Sequence, residues 1–249
     1  MFSMKSMDIK HVLISSMLLM LCSFNFVYAK TLTATQDPWP PFVTKEGTGI
    51  IADIVRSALK TQGYDLKITT MPWARALHSV KGGKVDILLG TWFTEKRTKE
   101  LLYSTPYLQN RLTFVKRVDD TFEYNGLESL EGKRIGVIRG YSYSEDFAQA
   151  NHFIRNANTT FSANLKMLLA KRLDMVVEDQ VVAAYTIKTE KIPNNQIAYC
   201  KNQLSIENLH ITTGKVNPNS QHYIEVFNKG LKHIQENGTY KRILSQYGF

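Results

Sequence analysis

The pattern of apolar and polar positions changes period repeatedly along the chain. Residues 31–35 (TLTAT) alternate and are β-branched, which predicts a strand, and apolar residues recur at helical spacing from 49 to 62. Residues 65–69 (DLKIT) predict a second strand, and 74–83 predict a short helix that ends in two glycines. The apolar run at 85–90 (VDILLG) is typical of a parallel strand covered on both faces. Alternating strands and helices predict an α/β layer fold.

The second half of the chain continues this alternation. Ser162 is the predicted N-cap of a helix at 162–172, since serine hydroxyls accept hydrogen bonds from a helix's first turn. The other predicted elements are strands at 111–117, 173–178 and 209–214, a strand that ends at Gly140, and helices at 179–187 and 219–235. Residues 79–90 and 168–179 share one layout of helix end, basic turn, aspartate and apolar strand. The repetition suggests two similar lobes, the second inserted roughly between Val118 and Lys215.

The N-terminus has the composition of a secretory signal peptide. Lys5 and Lys10 precede an apolar stretch at 12–27, and small residues stand at the cleavage positions. We expect residues 1–29 to be removed by cleavage after Ala29, which would leave a mature chain exported to the periplasm. The alternative, a retained N-terminal anchor, is disfavoured because the apolar stretch is short for a membrane span.

Charge, cysteine content and histidine spacing argue against several classes of protein. The formal net charge is +9, but the basic residues are scattered and form no stripe with aromatics, so no nucleic-acid partner is predicted. Of the two cysteines only Cys200 lies beyond the leader, which excludes a disulfide scaffold. The histidines show no paired ligand spacing, and we predict neither a metal nor a cofactor. The fold must therefore rest on buried apolar area.

Six motifs in a fixed order carry a family resemblance. They are WPPF (39–42), GKVDILLG (83–90), TEKR with YSTPY (94–107), LEGKRIGVIRG (130–140), RLDMVVED (172–179) and ENGTYKRILSQYG (236–248). With these motifs the chain resembles the family-3 periplasmic solute-binding proteins, the polar amino-acid receptors of ABC importers, from Leu32 to its end. The resemblance implies a small-molecule ligand, an amino acid or a related carboxylate, and delivery to an ABC permease by a monomeric binding protein.

The resemblance also implies an architecture. It is the type II periplasmic-binding fold, in which two α/β lobes are joined by two hinge crossings and close on a ligand in the cleft between them. The strands at 111–117 and 209–215 stand where those crossings belong. Lobe 1 is therefore expected to comprise 30–115 and 214–249, and lobe 2 to comprise 116–213.

Several ligand-binding residues are implied in turn. In the family, the arginine of a Thr-x-x-Arg motif holds the ligand's α-carboxylate, and here that residue is Arg97, whose planar guanidinium matches two carboxylate oxygens. A lobe 2 aspartate that takes the α-ammonium corresponds to Asp179, which also stands where a helix N-cap is expected. Tyr141 and Ser142 occupy the turn where the family uses hydroxyls and backbone N–H groups.

Aromatic residues complete the predicted site, and two features depart from the family pattern. The three tryptophans of the chain, Trp39, Trp73 and Trp92, all fall in cleft motifs, which favours an apolar, aromatic or cationic ligand moiety. Thr91 precedes the arginine motif where small hydroxyl residues are usual, but Trp92 crowds that stretch. Arg75 adds a possible second cation. An amino acid, a dicarboxylate, a modified amino acid and a short peptide all stay open as ligands.

Two other functions stay open. Some proteins of this fold are exported dehydratases acting on cyclohexadienyl substrates, and here Glu178 or Glu145 would be the candidate general acid. The other alternative keeps ligand binding, but the closed form would signal to a membrane kinase or chemoreceptor. Binding for import is the interpretation that the motifs favour.

Overall fold

The computed structural model describes residues 30–193 and 195–248, so the predicted signal peptide lies outside the described residues. In this part of the chain nine strands join in one sheet. They are β1 (Lys30–Gln36), β2 (Tyr64–Thr70), β3 (Ile87–Trp92), β4 (Leu101–Tyr103), β5 (Leu108–Arg117), β6 (Arg134–Ile138), β7 (Ile154–Asn158), β8 (Met175–Asp179) and β9 (Ile197–Gly214).

The sheet has two halves that share a central pair of strands. One half has the order β2-β1-β3-β9 and the other β5-β8-β6-β7, with β4 pairing on β9. Within the halves, β1 runs parallel to β3, and β6 runs parallel to both β7 and β8. The long strand β9 pairs with β5 from Ile197 to Leu209 and with β3 from Leu209 to Thr212. Because β5 and β9 connect two α/β halves, the predicted two-lobed type II fold is confirmed.

Eight α-helices of the described chain cover the sheet. They are α1 (Ile50–Lys60), α2 (Trp73–Lys81), α3 (Glu95–Thr98), α4 (Glu145–Gln149), α5 (Phe161–Leu169), α6 (Gln180–Thr189), α7 (Ser220–Glu236) and α8 (Thr239–Gln246). Helix α1 buries one apolar face, as its periodicity predicts. Helix α7 packs against it at Gly230, where a Cβ atom would lie 2.1 Å from the Ala58 carbonyl oxygen, so only glycine permits this close approach.

Two local predictions were wrong. The N-cap of α5 is Thr160, whose hydroxyl accepts from the Ala163 N–H at 3.2 Å, and Ser162 lies inside the helix. Strand β9 begins twelve residues before the predicted Leu209, at Ile197. Its first part is polar and largely exposed, so the apolar pattern that marks a covered strand is missing there. Its pairing with β5 supplies the backbone hydrogen bonds instead.

Candidate ligand-binding site

A small cavity of about 20 Å³ lies where the carboxyl ends of β1, β3 and β6 meet. Ligands of α/β folds favour this position because helix N-termini and loops converge there. The lining residues are Gln36, Asp37, Trp39, Trp73, Gly90, Trp92, Arg97, Leu209, Tyr141 and Ser142. The last two belong to the loop after β6, so both halves of the molecule contribute.

Arg97 is the principal charged group of the cavity. Thr94 caps the short helix α3, and its hydroxyl accepts from the Arg97 N–H at 3.2 Å, which fixes the backbone that carries the guanidinium. The side chain is 7% exposed, Nη1 donates to the Trp92 carbonyl oxygen at 3.2 Å, and the guanidinium lies 5.3 Å from the centre of the Trp73 ring. Burial lowers the pKa of the guanidinium, which remains cationic.

No carboxylate of the described residues pairs with Arg97. A buried charge is normally paired, because removing it from water costs several kcal/mol. The carbonyl contact and the indole ring offset part of that cost but supply no negative charge. The guanidinium therefore has the donors and the charge to bind an anionic group that enters the cavity.

Aromatic rings form the wall of the cavity. The Trp92 ring lies 6.0 Å from Trp39 and 5.4 Å from Tyr141, and Trp39 lies 6.3 Å from Tyr141, all edge to face. Trp92 is fixed by its indole N–H, which donates to Asn110 at 2.8 Å. The indole N–H groups of Trp39 and Trp73 are buried and have no acceptor among the described residues. Both belong to residues that line the cavity beside Arg97.

Two carboxyl groups lie in the same region. Asp37 follows β1 and lines the cavity, and its Oδ2 accepts from the Tyr141 hydroxyl at 3.4 Å. Glu178, on β8, is 3% exposed and accepts from the Asp179 N–H at 2.8 Å. Burial raises the pKa of Asp37 to about 6 and that of Glu178 to about 8, and the charges of Asp179 and Asp37 further raise the Glu178 value.

The structure does not bring Asp179 to the cavity of Arg97. Successive side chains of a strand point to opposite faces, so Glu178 and Asp179 diverge. The Asp179 carboxylate accepts four hydrogen bonds, from the N–H groups of Val181, Val182 and Arg111 and from the Asn110 amide. It thus caps α6, as the sequence suggested, and joins that helix to β5.

Of the other residues predicted to bind the ligand, five line the cavity and two do not. Trp39, Trp73, Trp92, Tyr141 and Ser142 line the cavity together with Arg97. Thr91 does not, because on β3 it points away from Trp92, and its hydroxyl lies 3.0 Å from that of Thr212. Arg75 is exposed on α2, about 200° around the helix from Trp73.

Four lining residues were missed in the sequence, namely Gln36, Asp37, Gly90 and Leu209. A signal for Asp37 was present, since it lies two residues beyond the strand predicted at 31–35, and the carboxyl ends of strands meet at ligand sites. Gln36 also connects two strands of the site to Asp37. Its side-chain oxygen accepts from the Gly90 N–H at 3.1 Å, and its amide donates to Asp37 at 2.9 Å. Leu209 comes from a crossing strand distant in sequence.

The described part of the chain has neither a metal-binding cluster nor a membrane-spanning helix. No group of three or more His, Cys, Asp or Glu side chains there is arranged to hold a metal ion. None of the helices within 30–193 and 195–248 combines the length and the apolar character needed to cross a membrane.

Two α/β lobes, a cavity between them and an unpaired buried cation among aromatic rings are the features of a solute-binding protein. The family described as bacterial extracellular solute-binding proteins, family 3, matches residues 32–249, and the chain belongs to that family. The predicted family resemblance is thereby confirmed.

Curated relatives of the chain are binding proteins at low identity. ABC transporter arginine-binding protein 1 from Escherichia coli (strain K12) is 24% identical over 218 residues, which cover 84% of this chain and 86% of that protein. A probable histidine-binding protein from Campylobacter jejuni is 23% identical over 233 residues, covering 86% and 82%. The chain therefore spans most of the length of proteins named for amino-acid binding.

Solved structures share the fold. An ancestral arginine-binding protein bound to arginine matches with a TM-score of 0.76 and 26% identity, over 89% of this chain and 100% of that one. A histidine kinase sensor domain with similarity to periplasmic binding proteins matches with a TM-score of 0.78 and 19% identity, over 89% and 97%. The second likeness concerns the fold alone.

Proposed function

We propose that the chain is an exported binding protein that captures a small carboxylate-bearing solute, an amino acid or a related compound, between its lobes. It delivers that solute to an ABC permease of the inner membrane. The observation that carries the proposal is Arg97, a buried guanidinium that lines an interlobe cavity without a carboxylate partner in the described chain. Relatives named for arginine and histidine binding support the ligand class.

Four residues supply donors to the anion end of the proposed site. Arg97 supplies two parallel N–H groups that fit a carboxylate, and such charge-assisted bonds contribute about 1.5–3 kcal/mol each. The indole N–H groups of Trp39 and Trp73, which have no acceptor among the described residues, are available to complete the shell. Ser142 reaches the same cavity from the other lobe. A carboxylate held in this way gains more contacts when the lobes close.

Hinge closure is the proposed mechanism. Lobe 1 (30–115 and 214–249) binds the solute first through Arg97 and the tryptophans. Lobe 2 (116–213) then closes over it with Tyr141 and Ser142, bending at β5 and β9. Closure is favoured only by contacts that the ligand makes better in the closed state. The closed form, as a monomer, is what the permease would recognise. Signal cleavage after Ala29 would place this mature form in the periplasm.

A thermal-shift screen tests the proposal. The panel contains the standard amino acids, small dicarboxylates and dipeptides, applied to the mature chain. At least one compound should raise the melting temperature, since a ligand of the folded state stabilises by mass action. Arg97→Ala should abolish the shift, whereas Arg172→Ala should keep it because Arg172 is exposed on lobe 2, away from the cavity. The proposal fails if no compound of the panel stabilises the wild-type protein.

One observation favours a second candidate, an enzyme of the cyclohexadienyl dehydratase type. With a pKa of about 8, Glu178 is largely protonated at neutral pH and so has the state required of a general acid. Incubation of the purified protein with prephenate or arogenate separates the two candidates. Binding without turnover supports the solute-binding role, and Glu178-dependent release of water and carbon dioxide would favour the enzyme.

A further inference from the structure

A second charged region adjoins the cavity of Arg97. Asp37, from lobe 1, and Glu178, from lobe 2, line one groove of the cleft. Glu178 is 3% exposed, and only one of its carboxylate oxygens has a hydrogen-bond donor among the described residues, the Asp179 N–H. Asp37 accepts from the Gln36 amide at 2.9 Å and from the Tyr141 hydroxyl at 3.4 Å.

Neither carboxyl group has a cationic partner. No ion pair within residues 30–193 and 195–248 includes Asp37 or Glu178. Two poorly hydrated carboxyls that line one groove repel each other when both are ionised. A cation that enters between them would remove this repulsion and satisfy the free oxygen of Glu178. These carboxyls therefore have the arrangement of a cation site.

The two charged regions belong to one continuous cleft. Asp37, Trp39 and Tyr141 line both the cavity that contains Arg97 and the groove that contains Glu178. Arg97 and Asp37 have opposite charges and share the cavity, yet they form no ion pair with each other. A ligand with an anionic group and a cationic group would match both residues without competing with either. The aromatic faces between them also suit a cation.

We propose that Asp37 and Glu178, one from each lobe, form the cation-binding end of the ligand site and select amino acids with a positively charged side chain. This inference rests on the proposed function, since it requires the ligand carboxylate at Arg97. The proposed cation site does not include Asp179, because the Asp179 carboxylate already accepts four hydrogen bonds. Closure would bring Glu178 to a cation first held by Asp37.

Binding of a cation should displace a proton. Burial gives Glu178 a pKa of about 8, so the group is mostly protonated at pH 7, and an adjacent cation would lower that value. The other titratable or charged groups around Glu178 are Asp179, Tyr141 and Tyr143, and on the groove Lys45, Glu46 and Glu190. Lys45 is exposed. The proton release is therefore assigned to the Asp37–Glu178 pair.

Matched amino acids test the charge selectivity. The pairs are L-arginine with L-citrulline, L-lysine with L-norleucine, and L-ornithine with L-norvaline, each titrated calorimetrically into the mature chain. The cationic member of at least one pair should bind about tenfold more tightly or better, as expected for a hydrogen-bonded charge. Equal affinities within the pairs that bind would overturn the inference but keep the proposed function. No binding by any member, together with a negative thermal-shift screen, would overturn both.

Variants assign the preference to residues. Asp37→Asn and Glu178→Gln keep the side-chain shape and remove the charge, so each should reduce the preference for the cationic member within a pair. Glu131→Gln, at an exposed turn, is the matched control. Folding of each variant is checked by circular dichroism. A preference that survives in the folded double variant Asp37→Asn/Glu178→Gln contradicts the assignment.

Proton release provides an independent readout that a merely structural role would not change. Titration of L-arginine at pH 7 in phosphate and in Tris, whose ionisation enthalpies differ, should show net proton release by the wild type and less by Glu178→Gln. If L-arginine does not bind, the tightest cationic member of the panel takes its place. Binding of the cation without proton release would contradict the proposed pairing.

Discussion

At the scale of single residues, the cleft is defined by charged groups that form no ion pair among the described residues. Arg97 donates to a carbonyl oxygen and lies over the Trp73 ring, but neither contact supplies a negative charge. The desolvation cost of a buried guanidinium is offset when a carboxylate binds to it. Arg97 therefore destabilises the ligand-free protein but increases its affinity for an anionic ligand.

Removing Arg97 measures this contribution. Arg97→Ala should weaken binding of the ligand found in the screen by about 2–4 kcal/mol, because the ligand carboxylate would be buried unpaired. Arg97→Lys should recover only part of the loss, since an ammonium group cannot form the bidentate pair. Titration calorimetry gives both values, with Arg172→Ala as the control. Wild-type affinity in Arg97→Ala would remove the guanidinium from the site.

Glu178 predicts a pH dependence of the ligand-free protein. Its pKa is near 4.5 in the unfolded chain and about 8 in the folded one, so the unfolded state loses its proton first. The contribution of Glu178 to the free energy of unfolding is fully present below pH 4.5 and is lost as the pH rises to about 8. The melting temperature of Glu178→Gln relative to wild type should therefore increase from pH 5 to pH 8. The difference in melting temperature between Glu131→Gln and wild type should not change with pH. A difference for Glu178→Gln that does not change with pH would contradict the raised pKa of Glu178.

Residue identity was easier to predict than side-chain direction. Arg97 and the three tryptophans were found from motifs, and all four line the cavity. Glu178 and Asp179 are adjacent, and the motif alone assigned the ligand contact to Asp179, although strand geometry turns the two carboxylates to opposite sides. The position of Thr91 was missed for the same reason. Pairing partners and strand alternation have to be combined to decide which face a residue occupies.

At the scale of elements, strands with apolar patterns and helices with clear periodicity were predictable, whereas elements stabilised by distant partners were not. Strand β9 is an example, because residues 200–208 (CKNQLSIEN) are mostly polar and are held in a strand by pairing with β5. Strand β4 has only three residues and forms through its pairing with β9. Such strands depend on contacts made across long sequence separations, which a local pattern does not contain.

The N-terminus of α5 gives a prediction at this scale. Thr160→Ala should lower the free energy of unfolding by about 1 kcal/mol because the hydrogen bond to the Ala163 N–H is lost. Ser162→Ala should change it by only a few tenths of a kcal/mol, since Ser162 lies inside the helix and does not cap it. Urea denaturation of the two variants in parallel measures the difference. A larger loss for Ser162→Ala than for Thr160→Ala would reverse the assignment of the cap.

At the scale of the whole molecule, two crossing strands connect the lobes, and aromatic contacts bridge the cleft. Trp92 and Tyr141 belong to different lobes, and their rings are 5.4 Å apart. A hydrogen-bonded path also crosses the hinge, from Trp92 through Asn110 on β5 to Asp179 on β8. A ligand that enters beside these rings must alter the contacts between lobes, which links occupancy of the cavity to the lobe arrangement.

Intrinsic fluorescence should report this change. All three tryptophans of the chain line one cavity, so ligand binding changes the environment of every indole at once. We expect a change in emission that saturates at the same concentration as the calorimetric titration. Trp92→Phe should reduce its amplitude. A ligand confirmed by calorimetry that leaves the emission spectrum unaltered would place the binding site elsewhere.

The most direct test of the account compares one ligand in two charge states. An amino acid that stabilises the wild-type protein is titrated calorimetrically beside its methyl ester, which keeps the size and removes the carboxylate charge. The account predicts that the free acid binds about 100-fold more tightly, corresponding to about 3 kcal/mol, and that Arg97→Ala removes most of this difference. Equal binding of acid and ester by the wild-type protein would contradict it.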